Sequence, residues 1–305
     1  MASKSLQAPR KPSVLAIYGP TASGKSAVAG ILRERLDAEV VSADSAALFA
    51  GIPILTAAPA YPARLVGVVP LSEGVSVGRY QRLAHAAIDE IVGDGRTAIV
   101  VGGTGLYLRA ALSSLELPPP PAPGERERWE GEYDRLGAAA AHALLAERDP
   151  VAAERIHAND RRRVVRALEL AEAGSSLAPA EDRLWANDRR RSTLLVGIDG
   201  GSDGAIARRV AAQVDAGVVE EARRAWAQPR SETARNVLGL EEFATLPPDD
   251  AAAAVVVATQ RLARYQRKWL RRLPGAVTLG GDRAAEVIAD DIVALAGAGE
   301  RLPRR

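Results

Sequence analysis

The segment GPTASGKS at residues 19–26 constrains the fold most strongly. It follows the short apolar run SVLAIY and precedes a helical pattern from Ser26 to Leu36. It fits G-x-x-x-x-G-K-[ST], the phosphate-binding loop that joins a buried strand to a helix. Backbone N–H groups in such a loop, together with the helix N-terminus behind it, bind anions. We therefore expect an α/β fold in which this loop leaves the carboxyl end of a strand.

Further short apolar runs alternate with helical patterns along the chain. They lie at residues 38–41, 97–101, 192–198 and, more weakly, 276–279. Strands that alternate with helices predict a parallel sheet with helices on both faces, here of the P-loop NTPase-like class. Ligands of such sheets bind at the carboxyl ends of the strands.

A proline-rich run, LELPPPPAPG, interrupts this alternation at residues 115–124. The residues after it are rich in Ala, Glu, Arg and Leu and contain no strand-like run, which predicts a helical insertion. We expect a discontinuous α/β core, an inserted helical domain and disordered tails, with these bounds: core 13–118 and 190–300, insertion 119–189, tails 1–12 and 301–305.

Composition excludes several classes of protein. The 305 residues include no cysteine and only three histidines, which are scattered. Disulfides, a thiolate metal site and a histidine metal cluster are therefore not expected. The N-terminal residues lack an apolar signal core, and no run is long enough to span a bilayer. A soluble, cytoplasmic protein without membrane contact is expected.

The predicted loop and strand ends supply the candidate chemistry. Lys25 would contact phosphate oxygens, and the Ser26 hydroxyl would bind Mg²⁺. Asp44 follows the second strand and is either a functional carboxylate or the N-cap of a helix beginning near Ser45. The strand at residues 97–101 ends in GGTG rather than in an acid, which counts against an ATPase. Asp199 could replace that acid or be a turn residue.

Three arginine-rich runs stand out in a chain whose formal net charge is only +2. They are NDRRRVVRALE in the insertion, Arg189–Arg191, and the helical pattern from Ala258 to Leu273. One such run is usually a solvated face. Three of them predict a surface that binds a polyanion, with nucleic acid as the natural candidate.

These motifs together resemble the tRNA dimethylallyltransferases, also called tRNA isopentenyltransferases, of the IPP transferase family. The resemblance rests on GPTASGKS, SADS, VGGTGLYLRAAL, DPVAAERIHANDRRRVVRALE and TQRLARYQRKWLRR, which occur in the family's order. It implies transfer of a dimethylallyl group from dimethylallyl diphosphate to N6 of the adenosine at tRNA position 37, with Mg²⁺. It also implies binding of the anticodon stem-loop and a monomeric enzyme.

The resemblance further implies roles for individual residues. Asp44 would be the general base, Thr104 would contact the leaving group, and Ser26 would bind Mg²⁺. The diphosphate would lie on Gly19, Pro20, Thr21, Ala22, Ser23, Gly24, Lys25 and Ser26. The tRNA would contact Asp44, Ser45, Ala46, Ala47, Arg126, Arg162, Arg163, Val164, Val165 and Arg166.

The chain departs from the family pattern at several positions. Ala47 stands where the family has glutamine, Gln213 where a second arginine is expected, and Tyr265 where arginine precedes Gln266. Three other functions stay open on the residues alone: an adenylate isopentenyltransferase acting on free AMP or ADP, a P-loop small-molecule kinase, and a nucleic-acid-binding protein with a relic loop.

Overall fold

A computed structural model describes residues 12–122, 124–178 and 183–298. Of the predicted tails, residues 1–11 and 301–305 lie outside this description. The strands are β1 Val14–Tyr18, β2 Ala38–Ser42, β3 Ala63–Arg64, β4 Thr97–Gly102, β5 Thr193–Asp199 and β6 Val277–Gly280. The α-helices are α1 Lys25–Arg35, α2 Pro53–Thr56, α3 Val77–Gly93, α4 Gly105–Leu112, α5 Glu125–Leu136, α6 Ala138–Arg148, α7 Pro150–Arg155, α8 Arg161–Glu172, α9 Asp203–Asp215, α10 Val218–Trp226, α11 Glu232–Arg235, α12 Leu240–Thr245, α13 Pro248–Leu270 and α14 Ala285–Gly297.

The strands form one parallel sheet in the order β3-β2-β4-β1-β5-β6. All five residues of β1 are buried, because helices cover both faces of the sheet. Helices α1 and α14 pack on one face around Leu15, Ile17 and Ile288, while α3, α4 and α13 contact the strands from the other. The predicted parallel α/β fold is confirmed. The two-residue strand β3 was missed because its run is too short to show a period.

Register brings the functional loops to one edge of the sheet. Tyr18, the last residue of β1, pairs with Gly102 of β4 and with Gly197 of β5. The phosphate-binding loop, the GGTG loop and the loop after β5 therefore begin at the same level. Ligands of parallel sheets bind at this carboxyl edge.

The chain divides into two compact units. The sheet unit comprises the chain up to Ser114 and from Asn187 onward, and the helical unit comprises Leu115–Ala186. The helical unit has its own apolar core of α5–α8 side chains, which includes Trp129, Leu145 and Leu168. None of the helices that the structure describes is long and apolar enough to cross a membrane.

Candidate functional site

The phosphate-binding loop leaves β1 and turns into α1 at Lys25. Gly24 has a φ of 81°, a left-handed conformation that glycine adopts without a side-chain clash. No side-chain hydrogen bond caps α1. The buried Ser23 hydroxyl also has no hydrogen-bond partner among the described residues. Unsatisfied donors of this kind are what an anion binds at a helix N-terminus.

Lys25 is the central cation of this loop. Its Nζ donates to the Pro20 carbonyl at 3.1 Å, which holds the ammonium over the loop. Burial lowers the pKa of Lys25 to about 8, while the neighbouring Asp44 carboxylate raises it and the Arg209 guanidinium lowers it further. A bound anion would favour the charged form of this lysine.

Arg209 is a second cation at the loop, which sequence reasoning missed. It lies on α9, and its Nη1 donates to the Thr21 hydroxyl at 2.9 Å. Burial lowers the pKa of Arg209, and the Asp44 carboxylate opposes that shift. The available signal was the ARR run in the helix after β5, but the missing arginine was sought at position 213 instead.

Asp44 follows β2 and lies in a turn rather than at a helix start. Its Oδ1 accepts a hydrogen bond from the Ala46 N–H at 3.0 Å, and residues 45–48 form turns. The helix considered near Ser45 is therefore absent, and Asp44 does not cap one. Ser45 and Ala46 are partly exposed, whereas Ala47 is buried.

Thr104, in the GGTG loop, is joined directly to the loop that carries Asp44. Its Oγ1 accepts a hydrogen bond from the Ser45 N–H at 3.2 Å. The two loops approach so closely that a Cβ on Gly102 would lie 2.1 Å from the Ala43 carbonyl oxygen. This contact requires glycine at position 102, which is the physical reason for the first glycine of GGTG.

Gln266 of α13 connects the GGTG loop to the phosphate-binding loop. Its Oε1 accepts from the Thr21 N–H at 2.8 Å, and its Nε2 donates to the Gly103 carbonyl at 3.0 Å. Only 5% of the residue is exposed. A single buried carboxamide thus sets the separation of the two loops, which the sequence pattern did not indicate.

A pocket opens between these groups. Thr21, Lys25, Asp44 and Arg209 supply its polar end. Its remaining walls are largely apolar and include Leu55, Val210, Val237, Leu238, Val255 and Leu262. Ser26, the predicted Mg²⁺ ligand, is exposed on the first turn of α1. The pocket can hold an anion at one end and a hydrocarbon group beside it.

The residues of the helical unit predicted to contact tRNA fall into three groups. Arg162 and Arg163 are exposed at the start of α8. Arg126 and Arg166 bind the buried Glu169 carboxylate at 2.6 and 2.8 Å. The side chains of Val164 and Val165 are buried in the core of the unit, so they face away from any partner.

The other two basic runs differ in what their side chains contact and in how exposed they are. In the run at residues 189–191, Arg189 donates to the Thr193 and Pro274 carbonyls, and Arg190 and Arg191 form ion pairs with Asp89. These bonds fix the run to the rest of the sheet unit, and its role in a polyanion surface stays a prediction. Helix α13 and the turn after it carry an exposed basic face with one aromatic ring, here called the α13 face, composed of Arg261, Arg264, Tyr265, Lys268 and Arg271.

Comparison with known proteins assigns the chain to a family. The sequence model of the family described as IPP transferase matches residues 47–273. The chain belongs to the IPP transferase family. The resemblance inferred from the motifs is therefore confirmed, and the enzyme class is that of a prenyltransferase.

Curated relatives of this IPP transferase are similar over nearly their whole length. The chain is 41% identical over 293 residues to a tRNA dimethylallyltransferase of Streptomyces avermitilis, which covers 91% of this chain and 93% of the relative. It is 40% identical over 299 residues to a tRNA dimethylallyltransferase of Anaeromyxobacter dehalogenans, with coverages of 90% and 95%.

Solved structures agree with the fold of this IPP transferase. The tRNA isopentenylpyrophosphate transferase of Bacillus halodurans is 27% identical, with a TM-score of 0.66 over 96% of this chain and 99% of that one. A eukaryotic dimethylallyltransferase acting on tRNA is 23% identical, with a TM-score of 0.72 over 92% of this chain and 79% of that one. At 23% identity, the similarity to this eukaryotic enzyme supports only the fold of the chain.

Proposed function

We propose that this enzyme transfers the dimethylallyl group of dimethylallyl diphosphate to N6 of the adenosine at tRNA position 37 and releases diphosphate. The observation that carries the proposal is a pocket in which Lys25, Arg209 and Asp44 meet an apolar wall. Such a pocket matches a small prenyl diphosphate, because the wall beside the cations offers hydrocarbon contacts to the prenyl tail. The names of the curated relatives support the same reaction.

Each charged group has a task in this reaction. The lone pair of N6 is delocalised into adenine, so N6 must lose a proton as it bonds to the first prenyl carbon. Asp44 takes that proton. The bond from that carbon to the diphosphate oxygen breaks, and diphosphate leaves with the electron pair. Lys25 and Arg209 stabilise the charge that develops on it. The Thr104 Oγ1 accepts from the Ser45 N–H and lies 3.3 Å from the Ser45 hydroxyl. When the Ser45 hydroxyl is the donor of that pair, the Thr104 O–H donates to the leaving group.

A magnesium ion fits this donor set as a partner of the substrate. Within the described part of the chain, no three His, Cys, Asp or Glu side chains are grouped so that they could hold a metal ion. Mg²⁺ commonly binds through one or two protein oxygens together with substrate phosphates and water. The Ser26 hydroxyl is the residue that would hold it, and the ion would supply positive charge to the diphosphate.

Binding of tRNA is assigned to exposed cations. Arg162 and Arg163 of α8 and the α13 face are the candidates for contact with anticodon stem-loop phosphates. The acceptor base must leave its stack to enter the pocket, which costs roughly a few kcal/mol. Phosphate contacts offset that cost and make binding dependent on salt.

The deciding experiment offers labelled dimethylallyl diphosphate to several acceptors. These are an unmodified tRNA with adenosine at position 37, the same tRNA with guanosine there, and free AMP. A further reaction contains ATP and no acceptor. We expect label only in the first tRNA. Label in AMP alone would assign the protein to the nucleotide-prenylating enzymes. Consumption of ATP without transfer would show that the loop binds ATP.

A further inference from the structure

Tyr265 of α13 differs from the other aromatic side chains of this protein in its exposure. Of the Phe, Tyr and Trp side chains in the described residues, it is the only one that is exposed to solvent. Its exposed fraction is 56%. The reaction described above gives this ring no task, and the core of the sheet unit does not contain it.

The neighbours of Tyr265 along the helix place its ring at the rim of the pocket. Residues three and four positions apart share one face of a helix. Leu262, one turn earlier, lines the pocket. Trp269, one turn later, packs so closely on the first residue of α4 that it leaves no room for a Cβ on Gly105. The Tyr265 and Trp269 rings meet edge to face, with their centroids 6.5 Å apart. Tyr265 therefore lies between the pocket and the helix that follows the GGTG loop.

The Tyr265 phenol also lies near the carboxyl end of β1. The hydroxyl of Tyr18, the last residue of that strand, donates to the Gln266 carbonyl at 3.2 Å. Burial raises the pKa of Tyr18, and the Tyr265 phenol nearby raises it further. Because the phosphate-binding loop begins directly after Tyr18, the exposed ring stands beside that loop.

The charge around the ring is that of a surface for nucleic acid. Arg261, Arg264 and Lys268 of the same helix are exposed. Residues 258–273 contain no Asp or Glu. Cations of this kind contact phosphates and position a nucleic acid, whereas an aromatic ring among them gives a base a surface on which to stack. A single exposed apolar side chain is ordinary, but this one lies among cations at the rim of the pocket.

Entry of the acceptor base into the pocket creates a need for such a ring. The acceptor adenine must reach Asp44, so it leaves the stack of its loop. The neighbouring base then loses its stacking partner on the side that faced the adenine. An aromatic ring at the rim can take the vacated position, because every base has a π-face and stacking requires no particular hydrogen bond.

We infer that Tyr265 stacks on the unpaired base next to the acceptor adenosine and replaces the contact that this base loses when the adenine enters the pocket. The inference rests on the proposed function and names a residue that recognises the acceptor. Tyr265 contributes to the binding of tRNA and not to the binding of the diphosphate, and this difference can be measured.

Removal of the ring tests the stacking. Tyr265→Ala should weaken binding of unmodified tRNA about tenfold and raise the KM for tRNA similarly, since stacking of one base on an aromatic side chain contributes about that much. The slope of log affinity against log salt should stay at the wild-type value, because no charge is removed. The KM for dimethylallyl diphosphate and kcat at saturating tRNA should also stay unchanged. Tyr265→Phe keeps the ring and should bind tRNA as the wild type does.

Val287→Ala is the matched control for this variant. Val287 is 45% exposed and lies on α14, which packs on the opposite face of the sheet from α13. The change removes an exposed apolar side chain away from the α13 face and should leave tRNA binding at the wild-type value.

Altered acceptors identify the base. Two tRNAs are prepared, one without the base on the 5′ side of the acceptor adenosine and one without the base on the 3′ side. One of these removals should weaken binding to the wild-type enzyme about tenfold. The same removal should have little further effect on Tyr265→Ala, because both changes delete one shared contact.

The outcomes separate this inference from the proposed function. Wild-type affinity for tRNA in Tyr265→Ala would overturn the inference and leave the function standing. Equal losses in Tyr265→Phe and Tyr265→Ala would overturn it too, because they would assign the effect to the hydroxyl. The same holds for base removals that weaken both enzymes equally, and for a KM for dimethylallyl diphosphate that rises as much as the KM for tRNA. A wild-type enzyme that transfers no label to tRNA would remove the proposed function, and the inference with it.

Discussion

The ammonium of Lys25 makes diphosphate binding depend on pH. Its pKa is lowered to about 8 by burial, so the free enzyme loses this charge as the pH rises through that value. The affinity for dimethylallyl diphosphate should then fall, by up to about tenfold per pH unit above 8. Calorimetry without tRNA between about pH 7 and pH 10 measures this. Lys25→Met should bind more weakly at about pH 7 and lack the fall. An equal fall in that variant would assign the titration to another group.

One conservative change can separate the proton-accepting role of the Asp44 carboxylate from its hydrogen bond to the Ala46 N–H. Asp44→Asn keeps an oxygen that can accept from the Ala46 N–H but cannot take a proton from N6. Transfer should fall on the order of 10³-fold, while binding of dimethylallyl diphosphate is retained. Asp199→Asn is the control, because Asp199 only approaches Arg267, at 3.6 Å. A greater loss in Asp199→Asn than in Asp44→Asn would reverse the assignment.

At the scale of the element, α13 positions the two substrate loops from its buried side. Gln266→Glu replaces the donor to Gly103 with a carboxylate oxygen that faces a carbonyl. The loops should shift, and kcat should fall roughly 10- to 100-fold, as misplacement of reacting groups by about 1 Å does. Gln260→Glu introduces the same charge on the same helix and should have little effect. Similar losses in both variants would indicate a charge effect instead of loop positioning.

The outer side of the same helix should contact tRNA. Arg264 and Lys268 are exposed, whereas Arg267 binds the Gly200 and Gly201 carbonyls. Replacing Arg264 and Lys268 with alanine should weaken tRNA binding and reduce the slope of log affinity against log salt by about 2. Filter binding at several salt concentrations measures the slope. Arg35→Ala, which breaks an exposed ion pair with Asp290, should leave it unchanged. An unaltered slope in the double variant would remove the α13 face from the interface.

At the scale of the whole molecule, the two units can be tested separately. The residues of the pocket all belong to the sheet unit. Its two chain ends lie close together, because the Ser113 hydroxyl donates to the Asp188 carbonyl at 2.6 Å. Replacing residues 115–186 with a short Gly-Ser linker should preserve binding of dimethylallyl diphosphate and abolish transfer to tRNA. Wild-type transfer by the shortened chain would show that the helical unit does not bind tRNA.

The sequence by itself determined the features that depend on neighbouring residues. GPTASGKS, the strand before it and the helix after it are contiguous, so their geometry follows from local conformation and was predicted correctly. The parallel sheet followed from the alternation of apolar runs with helical patterns. The helical spacing in α8 can also be seen in the sequence. Val164, Val165 and Leu168 share one face of the helix, which favours burial of their side chains over contact with tRNA.

Only the tertiary structure decided which distant residues complete the pocket. Arg209 meets Thr21 across 188 positions, and Gln266 meets the same residue across 245. The sequence offers both side chains but does not show that they meet Thr21, because that contact depends on how α9 and α13 pack against the sheet. Gln213 and Thr259 also line the pocket because of that packing, although the sequence marks Gln213 only as a departure from the family pattern and does not mark Thr259.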